Sequence, residues 1–133
     1  MSKDDMTMMT RHDVVRVLVA DDDFDMRLLV KATVGNDGMI EIVGEAADGT
    51  AAVEAFRQSQ AHVCVLDYRM PGLSGIEAAE QILGEAPETK VLLFSAYLTP
   101  EVTAAAEALG VRCLRKDAFM DLPSIILELA DQV

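Results

Sequence analysis

The sequence predicts one α/β domain built as a three-layer sandwich, in which a five-stranded parallel sheet lies between two layers of helices. Five short, apolar, β-branched stretches alternate along the chain with five stretches of helical character. Crossovers between parallel strands are right-handed and place helices on both faces of the sheet. The length of 133 residues, 51% of them hydrophobic, suits one domain whose core needs neither disulfides nor a structural metal.

The first predicted strand and helix follow a polar segment. Residues 1–13 (MSKDDMTMMTRHD) lack periodicity and are predicted to form a flexible N-terminal tail, so the domain is expected to span residues 14–133. Val14–Ala20 (VVRVLVA) has the composition of a short strand buried on both faces. Asp23 is the predicted N-cap of a helix over Phe24–Val34.

The same alternation continues to the end of the chain. Further strands are predicted at Ile40–Gly44, Val63–Leu66, Val91–Phe94 and Val111–Arg115. Three helices are predicted over Thr50–Gln58, over Ile76–Ala86 and from Pro100, capped by Thr99, to Gly110. A last helix shows one apolar face, made of Leu122, Ile125, Ile126, Leu129, Ala130 and Val133.

Charge and composition exclude several functions. Eleven Lys and Arg against 23 Asp and Glu give a net charge of −12, which repels nucleic acid phosphates. Trp is absent and only two Tyr are present, so stacking platforms for bases are not expected. We therefore predict no direct nucleic acid binding by this chain.

The remaining compositional signals predict a cytoplasmic protein. Cys64 and Cys113 fit neither a redox pair nor a zinc site, and are expected to be buried free thiols. His12 and His62 have no partner at metal-ligand spacing, so neither is assigned a role. The chain shows no signal peptide, and no apolar run approaches the ~20 residues that span a bilayer.

Residues with useful chemistry follow four of the five predicted strands. Asp21 and Asp22 follow the first strand, Asp67 follows the third, Ser95 the fourth and Lys116 the fifth. In open α/β sheets, ligands bind beyond the carboxyl ends of the strands. Parallel strands bring these ends to one edge of the sheet, so the five side chains are expected to meet there.

Such a cluster calls for a cation. Two carboxylates ~4 Å apart repel by about 4 kcal/mol at an effective dielectric near 20, so three would protonate or recruit positive charge. Oxygen ligands without His or thiolate favour Mg²⁺. A metal and Lys116 would neutralise a phosphoryl group, Asp67 would be a nucleophile, and the Ser95 hydroxyl could hydrogen-bond a phosphoryl oxygen.

Each of these residues also has an ordinary structural explanation. The acidic run Asp21–Asp23 could be a solvated helix start, where the helix dipole favours negative charge. Asp67 is common in turns, Lys116 could lie on the surface, and Ser often ends strands, as Ser95 does. Their predicted convergence at one edge favours a functional site, while Asp23 is assigned to capping alone.

Several motifs in the chain resemble those of one known family. They are the DDD at Asp21–Asp23, the LDYRMPGLSG around Asp67, the SA at Ser95 and the KD at Lys116. Together they resemble the receiver domain of two-component response regulators, over nearly all of residues 14–133. The RMPG and KD segments are most similar to receivers of the NarL/FixJ type. The resemblance implies a flavodoxin-like (βα)5 topology.

The resemblance also implies a metal site. Asp22 would bind Mg²⁺ directly and Asp21 largely through water. The Asp67 carboxylate and the backbone carbonyl of Arg69 would complete the protein ligands.

Catalytic roles and partners are implied in the same way. Asp67 would be the phosphoacceptor, Ser95 the switch hydroxyl and Lys116 the invariant lysine of the family. The phosphodonor would be a phosphohistidine on a sensor histidine kinase or a phosphotransfer protein. The chain would then be a signalling domain that catalyses its own phosphorylation and dephosphorylation. A homodimer is a further form that the family adopts.

Three positions affect what the resemblance implies. Many family members carry a Tyr or Phe three residues before the lysine, and here that position is Cys113, which is too small to act as the same lever. Arg69 and Tyr97 lie where the family tunes attack by water on the acyl phosphate. Because both are bulky, we predict that they slow hydrolysis.

Two other functions compete with this interpretation. A phosphohydrolase of the haloacid dehalogenase type also uses an Asp nucleophile, but its DxDx[TV] signature is only half met here because Phe24 follows Asp23. It would also need a later acidic pair, which is missing. A receiver-like module that docks without phosphorylation is the second alternative, and Cys113 leaves room for it.

Overall fold

A computed structural model of the chain describes residues 14–131. The predicted tail at residues 1–13, which includes His12, and the predicted apolar contact of Val133 lie outside the described residues. Among residues 14–131, no helix is long and apolar enough to cross a membrane.

The described residues form one parallel sheet with helices on both faces. The strands are β1 (Val15–Ala20), β2 (Ile40–Ala46), β3 (Val63–Leu66), β4 (Lys90–Ser95) and β5 (Arg112–Arg115). The helices are α1 (Phe24–Val34), α2 (Gly49–Ser59), α3 (Gly75–Glu85), α4 (Pro100–Ala108) and α5 (Leu122–Ala130), and a 3₁₀ helix spans Lys116–Asp121. The strand order β2-β1-β3-β4-β5 confirms the predicted sandwich.

Strand β2 is longer than its sequence indicates. The prediction ended it at Gly44, but Glu45 and Ala46 continue the parallel pairing with β1. A glycine usually weakens a strand, which is why the pattern suggests an end there. Here Gly44 permits a close approach, since a Cβ at that position would lie 2.9 Å from a methyl carbon of Leu18.

Two apolar cores lie on opposite faces of the sheet. One core joins the sheet to α1 and α5 through buried residues that include Val30, Val34, Leu122 and Ile126. The other joins the sheet to α2, α3 and α4 and includes Phe56 and Ile82. Strands β1, β3 and β4 contribute alternate residues to both, as expected for central strands buried on two sides.

Short side chains define where the helices begin. Asp23 accepts hydrogen bonds from the amides of Asp25 and Met26, which confirms the predicted N-cap of α1. Thr99 caps α4 in the same way, with Pro100 in the first turn. Ser74 and Glu77 form a capping box at the start of α3 that the sequence analysis did not identify.

The two cysteines differ in environment. Cys64 is a free, buried thiol, and burial raises its pKa to about 12. The prediction that Cys113 is also buried is wrong, because this free thiol is partly exposed and packs against the edge of the α2–α4 core. Strand β5 is at the edge of the sheet that residues 14–131 form, which leaves its residues less covered.

Truncating Ile126 to Ala should lower the free energy of unfolding by about 2–5 kcal/mol, because its fully buried side chain would leave a cavity under the sheet. The matched control is Ile125→Ala in the same helix, where the side chain is only partly buried and the loss should be clearly smaller. Urea unfolding followed by circular dichroism measures both. Equal losses for the two variants would contradict the described packing of α5.

Candidate functional site

The carboxyl ends of β1 and β3 bring two acidic residues side by side. The two strands are hydrogen-bonded neighbours, with Ala20 paired to Leu66. Asp21 and Asp67 are the next residues along each strand. The amide of Asp67 donates to the carbonyl of Ala20 at 2.9 Å, so the ladder continues to this point. The predicted convergence of these strand ends at one edge is therefore observed.

Three carboxylates form one cluster at this edge. Asp21, Asp22 and Asp67 each offer an oxygen, and these oxygens all lie within 4.8 Å of one another. Asp21 and Asp67 are only 3% and 5% exposed, whereas Asp22 is exposed. The cluster is thus closed on the protein side and open towards solvent at Asp22, and it can hold a metal ion.

Lys116 supplies the positive charge inside the cluster. Its ammonium lies 2.7 Å from Oδ2 of Asp21 and 3.2 Å from Oδ2 of Asp67. Burial lowers the pKa of Lys116, but the pairing with Asp21 and Asp67 outweighs burial and raises the pKa overall. Burial raises the pKa of Asp21, although Lys116 and the Asp23 amide oppose this effect. Lys116 thus pairs with two of the three carboxylates of the cluster.

The backbone around Asp67 aims its carboxylate. The amide of Tyr68 donates to Oδ1 of Asp67 at 2.8 Å, while Oδ2 faces Lys116. The loop after Asp67 then folds back, and the amide of Gly75 donates to the Tyr68 carbonyl at 2.8 Å. A Cβ at Gly75 would lie 2.2 Å from the carbonyl oxygen of Asp67. Only glycine therefore allows α3 to begin this close to the acidic residue.

A second glycine holds the other side of this loop. A Cβ at Gly49, the first residue of α2, would lie 2.0 Å from the carbonyl oxygen of Leu73. The Gly49 amide also donates to the Pro71 carbonyl at 3.2 Å. This role of Gly49 was not predicted, because nothing in the neighbouring sequence indicates contact with a loop more than 20 residues away.

Ser95 and Tyr97 lie at the end of the adjoining strand. Ser95 is fully buried as the last residue of β4, and its hydroxyl accepts a hydrogen bond from the Tyr97 amide at 3.1 Å. The guanidinium of Arg69 lies 4.2 Å from the centre of the Tyr97 ring, a cation–π contact. The segments that follow Asp67 and Ser95 are thereby in contact with each other.

A surface cleft borders the acidic cluster. It lies between the exposed carboxylate and the loop after β3, and its lining consists of Asp22, Tyr68, Arg69, Met70, Pro71 and Ser74. The cleft gives a route from solvent to the cluster on the side where Asp22 is exposed.

His62 belongs to the opposite edge of the sheet. Its Nδ1 atom accepts a hydrogen bond from the backbone amide of Arg16 at 3.0 Å, just before β3 begins. This contact helps to join the start of β3 to β1, far from the acidic cluster. The absence of a functional role for His62 stays a prediction.

This fold and its acidic edge are shared with a known protein family. The family model for the response regulator receiver domain matches residues 17–126. The chain therefore belongs to the receiver domain family of two-component response regulators, as the motifs predicted. This membership decides against the haloacid dehalogenase alternative.

Individual relatives show which receiver domains this chain is similar to. The receiver domain of NarL from Mycobacterium tuberculosis has a TM-score of 0.86 at 34% identity, over 91% of this chain and 99% of that one. The probable transcriptional regulatory protein NarL of the same organism is 39% identical over 69% of this chain and 43% of its own length. The predicted likeness to NarL-type receivers is thus confirmed.

A relative with another output is equally similar. A protein-glutamate methylesterase/protein-glutamine glutaminase from Haloarcula marismortui is 40% identical over 73% of this chain, but the matched region is only 26% of that protein. The chain thus spans less than half of the curated relatives that it matches. What these relatives share with this chain is the receiver region, and their outputs differ.

Replacing Gly75 by Ala should displace the Asp67 backbone, because the added Cβ would collide with the Asp67 carbonyl and with Leu93. We expect lower stability and changed amide shifts at Asp67 and Tyr68, measured by urea unfolding and NMR.

Gly84→Ala is the matched control in the same helix. A Cβ at Gly84 meets nothing within 4 Å, so this change should raise stability by about 0.4–1 kcal/mol. If Gly75→Ala behaved like Gly84→Ala, the close approach between α3 and Asp67 would be disproved.

Proposed function

We propose that this receiver domain, assigned to residues 14–133 with a tail at residues 1–13, accepts a phosphoryl group on Asp67 in a Mg²⁺-dependent reaction. One observation carries the proposal. The buried Asp67 carboxylate is held by the Tyr68 amide on one oxygen and by the Lys116 ammonium on the other, next to two further carboxylates. An aspartate in that position is both an aimed nucleophile and part of a cation site.

The donor set fits a divalent cation. Three carboxylates and one ammonium leave a formal charge of −2 at the cluster, which Mg²⁺ would neutralise. All the side-chain donors are carboxylate oxygens, the ligands that Mg²⁺ prefers. We assign Asp21, Asp22, Asp67 and the backbone carbonyl of Arg69 as the protein ligands. When bound, the ion would stabilise negative charge on the oxygens of an incoming phosphoryl group.

Three side chains carry out the proposed phosphoryl transfer: those of Asp67, Lys116 and Ser95. A carboxylate oxygen of Asp67 forms a bond to phosphorus as the bond from phosphorus to the donor's imidazole nitrogen breaks. Lys116 exchanges its contact with Asp67 for one with a phosphoryl oxygen, and so keeps a positive charge beside the new group. The Ser95 hydroxyl, which already accepts from the Tyr97 amide, donates its own proton in a hydrogen bond to another phosphoryl oxygen.

The proposed donor is a phosphohistidine on a sensor histidine kinase or a phosphotransfer protein. The cleft beside Asp22 offers that donor a route to Asp67. We propose that the chain acts as a signalling domain that catalyses its own phosphorylation and dephosphorylation, and that the response passes to a downstream output. A net charge of −12 argues that any contact with DNA is made by other residues than these. Cytoplasmic localisation stays a prediction.

Incubation with acetyl phosphate and Mg²⁺ should add one phosphoryl group to the chain, detected as intact mass. The group should be missing in Asp67→Asn, which lacks the nucleophile, and in wild type treated with a metal chelator. Asp37→Asn is the matched control, because it removes the same charge from a partly exposed residue before β2, away from the cluster. Modification that survives in Asp67→Asn would disprove the acceptor, and a wild type that takes up no phosphoryl group would favour docking without phosphorylation.

The contact between Arg69 and Tyr97 should set the lifetime of the phosphorylated form. Replacing both by Ala removes two bulky groups that are in mutual contact near Asp67, so water should reach the acyl phosphate more easily. We expect several-fold faster hydrolysis, followed by loss of the phosphoryl mass after the donor is removed. Arg57→Ala provides a control in which an exposed arginine is lost away from the acidic cluster. A lifetime equal to that of wild type would remove the shielding idea.

A further inference from the structure

Asp22 differs from the other two acidic residues in how it is held. Asp21 and Asp67 are buried and bonded to Lys116, whereas no hydrogen bond or ion pair to the exposed Asp22 side chain is found among the described contacts. Its position therefore depends on the backbone that carries it. That backbone is the short turn between β1 and α1, immediately after Asp21.

Arg27, which lies on α1, is hydrogen-bonded to this turn. Its Nη1 atom donates to the carbonyl oxygen of Asp21 at 2.7 Å, and its Nε atom donates to Oε1 of Glu45 at 3.1 Å. The guanidinium carbon also lies 5.4 Å from the centre of the Phe24 ring. The Arg27 side chain is only 14% exposed, so three contacts hold it in place.

The hydrogen bond from Arg27 to the Asp21 carbonyl also restrains the position of Asp22, through the peptide bond between the two residues. The atoms from Cα of Asp21 to Cα of Asp22 lie in one rigid plane, so fixing the Asp21 carbonyl also fixes the Asp22 amide and Cα. The Asp23 amide donates to Oδ1 of Asp21 at 2.9 Å and holds the next part of the turn. We propose that Arg27 is a positioning residue for the metal site and acts by orienting the peptide that carries Asp22. This inference rests on the proposed metal site.

The charge on Arg27 would work against this role if it acted alone. A guanidinium close to the cluster repels a divalent cation and competes with it for the carboxylates. Glu45 lies 3.1 Å from the Arg27 guanidinium and 2.6 Å from the Lys31 ammonium. Its negative charge partly neutralises that of Arg27 and so reduces the repulsion of a cation at the cluster. The two pairings lower the pKa of Glu45 and keep it ionised. Positioning and charge therefore predict opposite effects when Arg27 is removed.

The test is the Mg²⁺ dissociation constant of the unphosphorylated chain, measured by titration calorimetry. Arg27→Gln should raise the constant about tenfold, the lower end of what loss of an outer partner of a metal ligand costs in affinity. Arg27→Lys keeps a donor and should give an intermediate constant. An effect of charge alone would instead make Arg27→Gln bind Mg²⁺ more tightly and leave Arg27→Lys at the wild-type value.

Arg57→Gln is the matched control. Arg57 pairs with Glu85 between α2 and α3, so the change removes the same charge and breaks a comparable ion pair away from the acidic cluster. Its Mg²⁺ dissociation constant should stay close to that of wild type. Adding KCl should not abolish the difference between Arg27→Gln and Arg57→Gln, because salt screens charge and does not restore the orientation of a peptide.

The outcomes separate this inference from the proposed function. If wild type binds Mg²⁺ and Arg27→Gln binds it equally well or more tightly, the positioning role is overturned while the metal site stands. If wild type binds no Mg²⁺, the proposed site itself fails. Thermal unfolding without Mg²⁺ reports whether each variant is folded, and Arg27→Lys carries the test if Arg27→Gln does not fold.

Discussion

Like charges buried at one edge of the sheet are the constraint on which the rest of this domain depends. Asp21 and Asp67 are almost completely removed from water, and each pair of ionised carboxylates at such a distance repels strongly. Lys116 reduces this repulsion with one ammonium that contacts both. One ammonium does not balance three carboxylates, so the cluster could hold a further cation at the side where Asp22 meets solvent. The fold tolerates this repulsion, and the unbalanced negative charge suits this edge for holding a cation.

The fold builds this edge from parts that are distant in sequence. Parallel pairing of β1 with β3 brings Asp21 to Asp67, and the crossover through α4 and β5 returns Lys116 to the same place. The glycines at positions 49 and 75 let backbone atoms approach to distances that any side chain would prevent. Stability is supplied elsewhere, by the two apolar cores on either face, which leaves the edge free to hold groups that weaken the fold.

Sequence reasoning predicted the parts of the site that depend on topology. Because strand ends share an edge, the position of Asp67, Ser95 and Lys116 at that edge could be predicted from their place after apolar runs. The contacts that depend on three-dimensional approach were not predictable. Arg27 donates a hydrogen bond to the Asp21 carbonyl, and the Tyr68 amide donates one to the Asp67 carboxylate. Neither hydrogen bond produces a periodic pattern in the sequence. The 3₁₀ helix after β5 was missed for the same reason, since one or two tight turns lack a 3.6-residue pattern.

Because position 113 holds a small residue, a link from the proposed acceptor Asp67 to the surface would have to run through the backbone. A hydroxyl can donate one hydrogen bond and still accept another, so Ser95 can turn its proton to a phosphoryl oxygen while it keeps the Tyr97 amide. Any shift of Ser95 towards a phosphoryl group would then draw the backbone at Tyr97 with it. Tyr97 is 48% exposed, and its ring contacts Arg69, two residues beyond Asp67. A response by this route would need no large side chain at Cys113, because it would move the segment after β4.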